Sequence, residues 1–222
     1  MTTLLDPSSE TIPRVAEAEA RILLPNVTWE TYEHLLVDLS LSSVPHLTYD
    51  RGDLEIMSPT AEHERINRAI EVLVSIVAFE MKIEYTSLGS TTFQRRDIKV
   101  GFEPDSSYYF TRVPIQGKKR IDLSVDPPPD LVVEIDIASS SIEKLPMFAS
   151  IGVSEVWCYR DGTMEIFLLK QGTYVPAASS ASLPFLGAET LTTLIKQSLD
   201  LGSIEWMEVV RNWAQGVKAS KP

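Results

Sequence analysis

The sequence predicts an α+β protein with an α/β-like core, built on a single mixed β-sheet flanked by helices. Three observations carry that expectation. Six β-prone stretches crowd residues 84–170, helical periodicity brackets them on both sides, and a strand–helix–strand passage spans Leu131 to Tyr159. A crossover of that kind joins two parallel strands, which makes the sheet mixed.

In chain order, residues 1–13 read as a polar leader and Val15 to Leu24 as a short helix, giving an N-terminal segment over 1–24. The main domain is expected over 25–217, with 218–222 as a tail. Thr28 is a good N-cap, Glu30 occupies the favourable first turn, and Tyr32, Leu35, Leu36 and Leu39 follow at helical spacing. His46 to Tyr49 and Leu54 to Met57 flank the turn-forming Asp50-Arg51-Gly52-Asp53, the signature of a hairpin. After Pro59 a long helix is expected to about Lys82, with Ile66, Ile70, Leu73 and Val77 on one stripe and Glu62 and Glu64 in its first turn.

Strands are then expected over Glu84 to Ser87, Thr91 to Lys99, Ser106 to Thr111, Asp130 to Ile137, Val153 to Tyr159 and Met164 to Lys170. Asp161-Gly162 joins the last two through a tight primed turn. Between Ile137 and Val153 a helix is marked by Ser140 and Glu143 at capping-box spacing. Pro146 fits only a first turn and moves the start to 141–143. Leu191, Leu194 and Ile195, and then Trp206, Val210, Trp213 and Val217, define two closing helices.

The composition, 44% hydrophobic and 23% charged over 222 residues, is that of a globular chain. No apolar run approaches the ~18 residues a membrane-spanning helix needs. The start, MTTLLDPSSETIPR, has neither the basic residues nor the apolar stretch of a secretory signal, and the one cysteine, Cys158, has no internal partner. Both point to the cytoplasm. A net charge of −11 argues against adhesion to nucleic acid through bulk electrostatics. Local patches exist at Arg65 and Arg68, at Arg95, Arg96 and Lys99, and at Lys118, Lys119 and Arg120, although each alone reads as a solvated face.

The acids are more informative. Asp130 to Ile137, DLVVEIDI, has the hydrophobicity of a buried strand yet carries Glu134 and Asp136, which alternation places on one face with Val133, Ile135 and Ile137 on the other. Two neighbouring carboxylates repel unless a cation or an arginine lies between them. The face is therefore either a wet sheet edge or a metal site. Glu103-Pro104-Asp105 alone is turn chemistry, but beside that strand it offers a second carboxylate. Carboxylate oxygens suit Mg²⁺ or Mn²⁺, ions that polarise phosphates and activate water, whereas no Cys/His cluster suits zinc. Lys144, at the start of the following helix, either reaches back over the acidic strand or is solvated; His63 either orients water or caps its helix.

An acid after proline on one strand, a second acid on an apolar strand and a nearby lysine resemble the PD-(D/E)XK nuclease superfamily. More narrowly, GDLEIMSPTAEHERI, GFEPDSSYYF and PPPDLVVEIDIASSSIEKLPMFASIGVSEVWCY resemble the Uma-two family of restriction-endonuclease-like domains, over most of residues 25–175. The resemblance implies a restriction-endonuclease-like fold and a divalent-metal-dependent endonuclease acting on DNA. It further implies Asp105 and Glu134 as metal-binding acids, Lys144 as the catalytic lysine, and an acid at the head of the long helix, Glu64 before Glu62 or His63, as auxiliary ligand. Asp136 stands where the superfamily pattern has its lysine, either as a further metal ligand or as the mark of a degenerate module that binds nucleic acid or protein without turnover. Cutting two strands favours a homodimer, and the Trp206–Trp213 stripe is either its surface or core.

Overall fold

The computed structural model describes residues 20–39, 45–110, 115, 117, 118, 121–136 and 143–220. The leader over 1–13, Ser140 of the expected capping box, and Lys119 and Arg120 lie outside them. Residues 20–24 form a strand rather than the end of a helix: β1 (Ala20–Leu24) pairs antiparallel along β3, from Ala20 opposite Ser58 to Leu24 opposite Leu54. Local pattern left the segment ambiguous, and the neighbouring strand decides it.

Most other elements lie where the sequence places them. Thr28 caps α1 (Trp29–Asp38) by accepting the Thr31 amide hydrogen at 3.1 Å. β2 (His46–Asp50) and β3 (Asp53–Ser58) form the expected hairpin, its turn residues Arg51 and Gly52 both at positive φ. α2 (Ala61–Met81) begins after Thr60, which accepts the His63 amide hydrogen. The expected strand over 91–99 is two: β5 (Phe93–Arg95) and β6 (Val100–Phe102) pair antiparallel around a 3₁₀ turn at Arg96–Ile98, with Lys99 left-handed. Its charged residues belong to that turn, where Arg95 Nε donates to Asp97 at 2.9 Å.

β4 (Thr86–Ser87), β7 (Ser106–Tyr109), β8 (Ile121–Asp122) and β9 (Leu131–Asp136) lead to α3 (Lys144–Ile151), which follows Glu143 and carries Pro146 in its first turn. β10 (Glu155–Arg160) returns parallel to β9, as the crossover requires. β11 (Thr163–Lys170) pairs with β10 across Asp161-Gly162, both at positive φ, and with β12 (Thr173–Ala177), which the sequence did not announce. α4 (Ala188–Asp200) and α5 (Ser203–Ala219) follow. Among the described residues no helix is long and apolar enough to cross a membrane.

The α+β class holds, but the strands form two mixed six-stranded sheets instead of one, ordered β1-β3-β2-β6-β5-β8 and β12-β11-β10-β9-β7-β4. The chain passes between the sheets several times, and one of these crossings falls at Pro104. Having no N–H, proline cannot extend the ladder that β6 begins, and the chain leaves the first sheet after Phe102 to enter the second at Ser106. Glu103 pins the crossing, accepting the Leu47 amide hydrogen at 2.9 Å and the Thr92 hydroxyl at 2.6 Å.

Each sheet face then has its own cover. Leu131, Val133, Ile135 and Trp157 pack against α2, α4 and α5, where Trp206 is buried and donates Nε1–H to the Leu194 carbonyl at 2.7 Å. Trp206 is thus core, with Trp213 packed partly buried against the same cluster. The opposite face, with Val132 and Val156, meets Phe102, Phe148 and Met147 between the two sheets and α3. On the first sheet, Leu47, Tyr49 and Leu54 are covered by Trp29 and Tyr32 of α1.

Tyr32 reaches so far over β6 that a Cβ on Gly101 would lie 2.3 Å from its hydroxyl and 2.7 Å from its ring. Gly101→Ala is therefore expected to destabilise the fold by about 1–3 kcal/mol through overpacking, measured as an earlier midpoint in urea denaturation. Unchanged stability would mean that α1 does not press on β6 as described.

Candidate active site

The crossing at Pro104 sets Asp105 down at the seam between the sheets. β7 and β9 are antiparallel neighbours, with Ser106 opposite Val133, so Asp105 sits beside the Glu134–Ile135 end of β9. Its side chain is 2% exposed. Oδ2 accepts the Ile135 amide hydrogen at 2.6 Å and lies 3.3 Å from His63 Nε2; Oδ1 lies 3.7 Å from His46 Nδ1. His63 is delivered by the Thr60-capped start of α2, and His46 by β2 of the other sheet. One turn further along α2, Asn67 donates from Nδ2 to the Asp105 carbonyl at 3.0 Å and accepts the Ser106 hydroxyl at 2.8 Å.

Glu134 occupies the next strand, opposite Cys158 on β10. Lys144, the first residue of α3, reaches back over the end of β9 and donates from Nζ to Glu134 Oε2 at 2.5 Å. Burial opposes the charge on Asp105, yet the His63 hydrogen bond and charge, with Lys144 and the Ile135 N–H, hold its carboxyl below the usual range. For Glu134 burial prevails and pushes the carboxyl up to about 7, Lys144 opposing and Asp105 reinforcing the rise. Burial would lower the Lys144 ammonium, but the charges of Glu134 and Asp105 raise it. Both shifts express one preference: the buried Glu134–Lys144 pair holds its protons. Burial also pushes the Cys158 thiol up to about 12, which makes it a poor nucleophile at neutral pH.

Alternation does place Asp136 on the face of Glu134, and the two line one cleft of about 750 Å³. Asp136, however, is held by arginines. Arg160 Nη2 and Nε donate to its Oδ2 at 2.8 and 3.0 Å, and Arg21 Nη2 stands 3.7 Å from Oδ1. Arg21, on β1, is itself bound to buried Glu55 at 3.0 Å.

The structure thus brings together Asp105, Glu134, Lys144 and His63. Glu64 sits on the outer side of α2 with Arg68 at 3.9 Å and Glu62 is exposed, so the side chain that α2 turns toward Asp105 is His63. Of the basic patches, Arg68, Arg95, Arg96 and Lys118 are paired with Glu71, Asp97, Glu33 and Asp126. His46, Asn67, Arg21 and Arg160 were not singled out from the sequence. Contacts between distant elements have no local signature that could have found them.

Asp105 and Glu134 present oxygen donors from adjacent strands, the donor type that suits Mg²⁺ or Mn²⁺. Among the described residues no three His, Cys, Asp or Glu side chains gather into a metal cage. The two carboxylates match the sparse ligation of Mg²⁺, which keeps several waters and shares its remaining positions with substrate phosphate.

No curated protein sequence matches the chain. Among solved structures, its fold is similar to a crystal structure described as "a putative nuclease belonging to DUF820" from Anabaena variabilis. That likeness has a TM-score of 0.52 at 16% identity, over 76% of this chain and 99% of that one. Residues 29–199 match the model of the Uma2 family, described as "Putative restriction endonuclease". Because that match spans most of the sequence and includes Asp105, Glu134 and Lys144, the chain belongs to the Uma2 family of restriction-endonuclease-like proteins.

Proposed function

We propose that the protein is a divalent-metal-dependent endonuclease that hydrolyses phosphodiester bonds in DNA. The observation that carries this reading is the placement of Lys144 Nζ on Glu134, one strand from Asp105, at the wall of an open cleft. Asp105 and Glu134 would hold Mg²⁺ or Mn²⁺, which when bound lowers the pKa of a coordinated water and neutralises charge on the phosphate.

The protein's own groups supply the rest. His63 and the Ile135 N–H fix Asp105 in its ionised form, so its oxygens need no proton removed before they serve as ligands. Glu134 gives up its proton to do so. Lys144, released from Glu134, places an ammonium beside the phosphate as the water oxygen bonds to phosphorus and loses its proton to solvent, while the bridging P–O bond breaks and the leaving oxygen takes a proton from solvent. Asp136, neutralised by Arg160 and Arg21, leaves the lysine's work to α3. For duplex DNA, two copies acting as a homodimer would cut both strands.

Supercoiled plasmid incubated with Mg²⁺ or Mn²⁺ is expected to be nicked, and EDTA to stop the cutting. Asp105→Asn, Glu134→Gln and Lys144→Ala should each lower the rate by about 100-fold or more while remaining folded. Cleavage that survives EDTA and all three substitutions would overturn the proposal. Intact plasmid with no Mn²⁺-induced rise in melting temperature would favour a binding module.

Metal affinity should also weaken as pH is lowered. Because Glu134 keeps a proton up to about pH 7, each unit below that value costs the metal about tenfold in affinity, and above it the dependence flattens. Titration calorimetry with Mn²⁺ from pH 5.5 to 8 reads this slope. Glu134→Gln should bind weakly and without the slope; an unaltered slope would place the titrating group elsewhere.

A further inference from the structure

The cleft beside Glu134 and Lys144 has a second half that hydrolysis does not use. β10, β11 and β12 continue the face that carries Glu134: Cys158 is opposite Glu134, Val156 opposite Phe167, and Tyr174 opposite Leu169, two residues on from Phe167. Phe167 and Tyr174 therefore share one sheet face with the acids. With Leu145, Phe148 and Val156 they form an apolar recess in the same cavity. Phe148 and Val156 are fully buried, whereas Phe167 and Tyr174 are only half-buried, so aromatic surface remains open to the cleft. Tyr174 is not free to swing, since its hydroxyl donates to the Val153 carbonyl at 2.6 Å.

Strand spacing puts Phe167 about 12 Å from Glu134, two strands across and two residues along. The charged half of the cleft has acids Glu134, Asp136 and Glu143 against bases Lys144, Arg160 and Arg21. A ligand that fits both halves has an anionic group at one end and a flat apolar one at the other. We infer that the recess lined by Phe167 and Tyr174 receives an unstacked nucleobase next to the phosphate held at Glu134 and Lys144, which makes single-stranded nucleic acid the preferred substrate. This rests on the nuclease reading for the phosphate and adds to it the form of the strand. A paired base would first have to leave its stack, whereas a single strand presents its bases directly.

The test measures binding of a fluorescent single-stranded oligonucleotide, its duplex, and the same strand with an abasic site, in Ca²⁺ with strand integrity checked on a gel. Proteins compared are the wild type, Phe167→Ala, and Phe167→Leu, which keeps the apolar packing and removes the ring. The single strand should bind at least about tenfold tighter than the duplex, and Phe167→Leu should lose about tenfold for the single strand at an unchanged melting temperature. An abasic site should weaken the wild type by that factor and the Phe167→Leu variant by none. Equal affinity for strand and duplex, or full affinity in Phe167→Leu, would overturn the inference. Metal-dependent cutting without these differences would leave the nuclease and remove the recess; Phe167-dependent binding without any cutting would do the reverse.

Discussion

The arrangement depends on keeping one carboxylate ionised in an almost wholly buried position. Burying a carboxylate costs several kcal/mol unless fixed donors replace its hydration. Asp105 gets them from the Ile135 N–H of the neighbouring strand and from His63 in the first turn of α2, while the His46 imidazole of the other sheet stands 3.7 Å away. Each of these groups comes from a different element, so that the two sheets and α2 meet at this point. Asn67 completes the tie by holding the Asp105 backbone, while Ser106 satisfies the Asn67 side-chain oxygen.

The neighbouring charges follow the same rule in pairs. Glu134 has Lys144, Asp136 has Arg160 and Arg21, and Glu55 has Arg21. An acid such as Asp136 would be prohibitive if left alone beside Glu134. Two arginines, one from the adjacent strand and one from β1, remove that objection, and the start of α3 supplies an ammonium at the same carboxylate from a different direction. The ammonium that meets Glu134 thus comes from α3 rather than from β9 itself.

Much of this was legible before the structure. The alternation in DLVVEIDI put Glu134 and Asp136 on one face, Pro146 fixed the start of α3 and with it the reach of Lys144, and the spacing of Ile66, Ile70, Leu73 and Val77 oriented α2. These signals are local. What escaped were the consequences of long-range pairing: β1 read as helix because its partner β3 is far along the chain, and one sheet stood for two because the chain passes repeatedly between partners that no local pattern assigns. His63 could be read as cap or ligand from its position; its approach to Asp105 depends on how α2 packs across β7 and β9.

Charge balance constrains how such a protein grips a polyanion. The whole chain is at −11, surface cations such as Arg68, Arg95, Arg96 and Lys118 are paired with acids, and the cleft carries three acids against three bases. Long-range steering toward nucleic acid is therefore weak, and few counterions would be released on binding. On the proposed reading, affinity comes instead from contacts made inside the cleft, between a phosphate and the Lys144 end and between a base and the Phe167–Tyr174 end. Contacts of that kind depend little on salt and strongly on the conformation of the strand, so the fold that neutralises its own charges to bury Asp105 is also one suited to selecting substrate by shape.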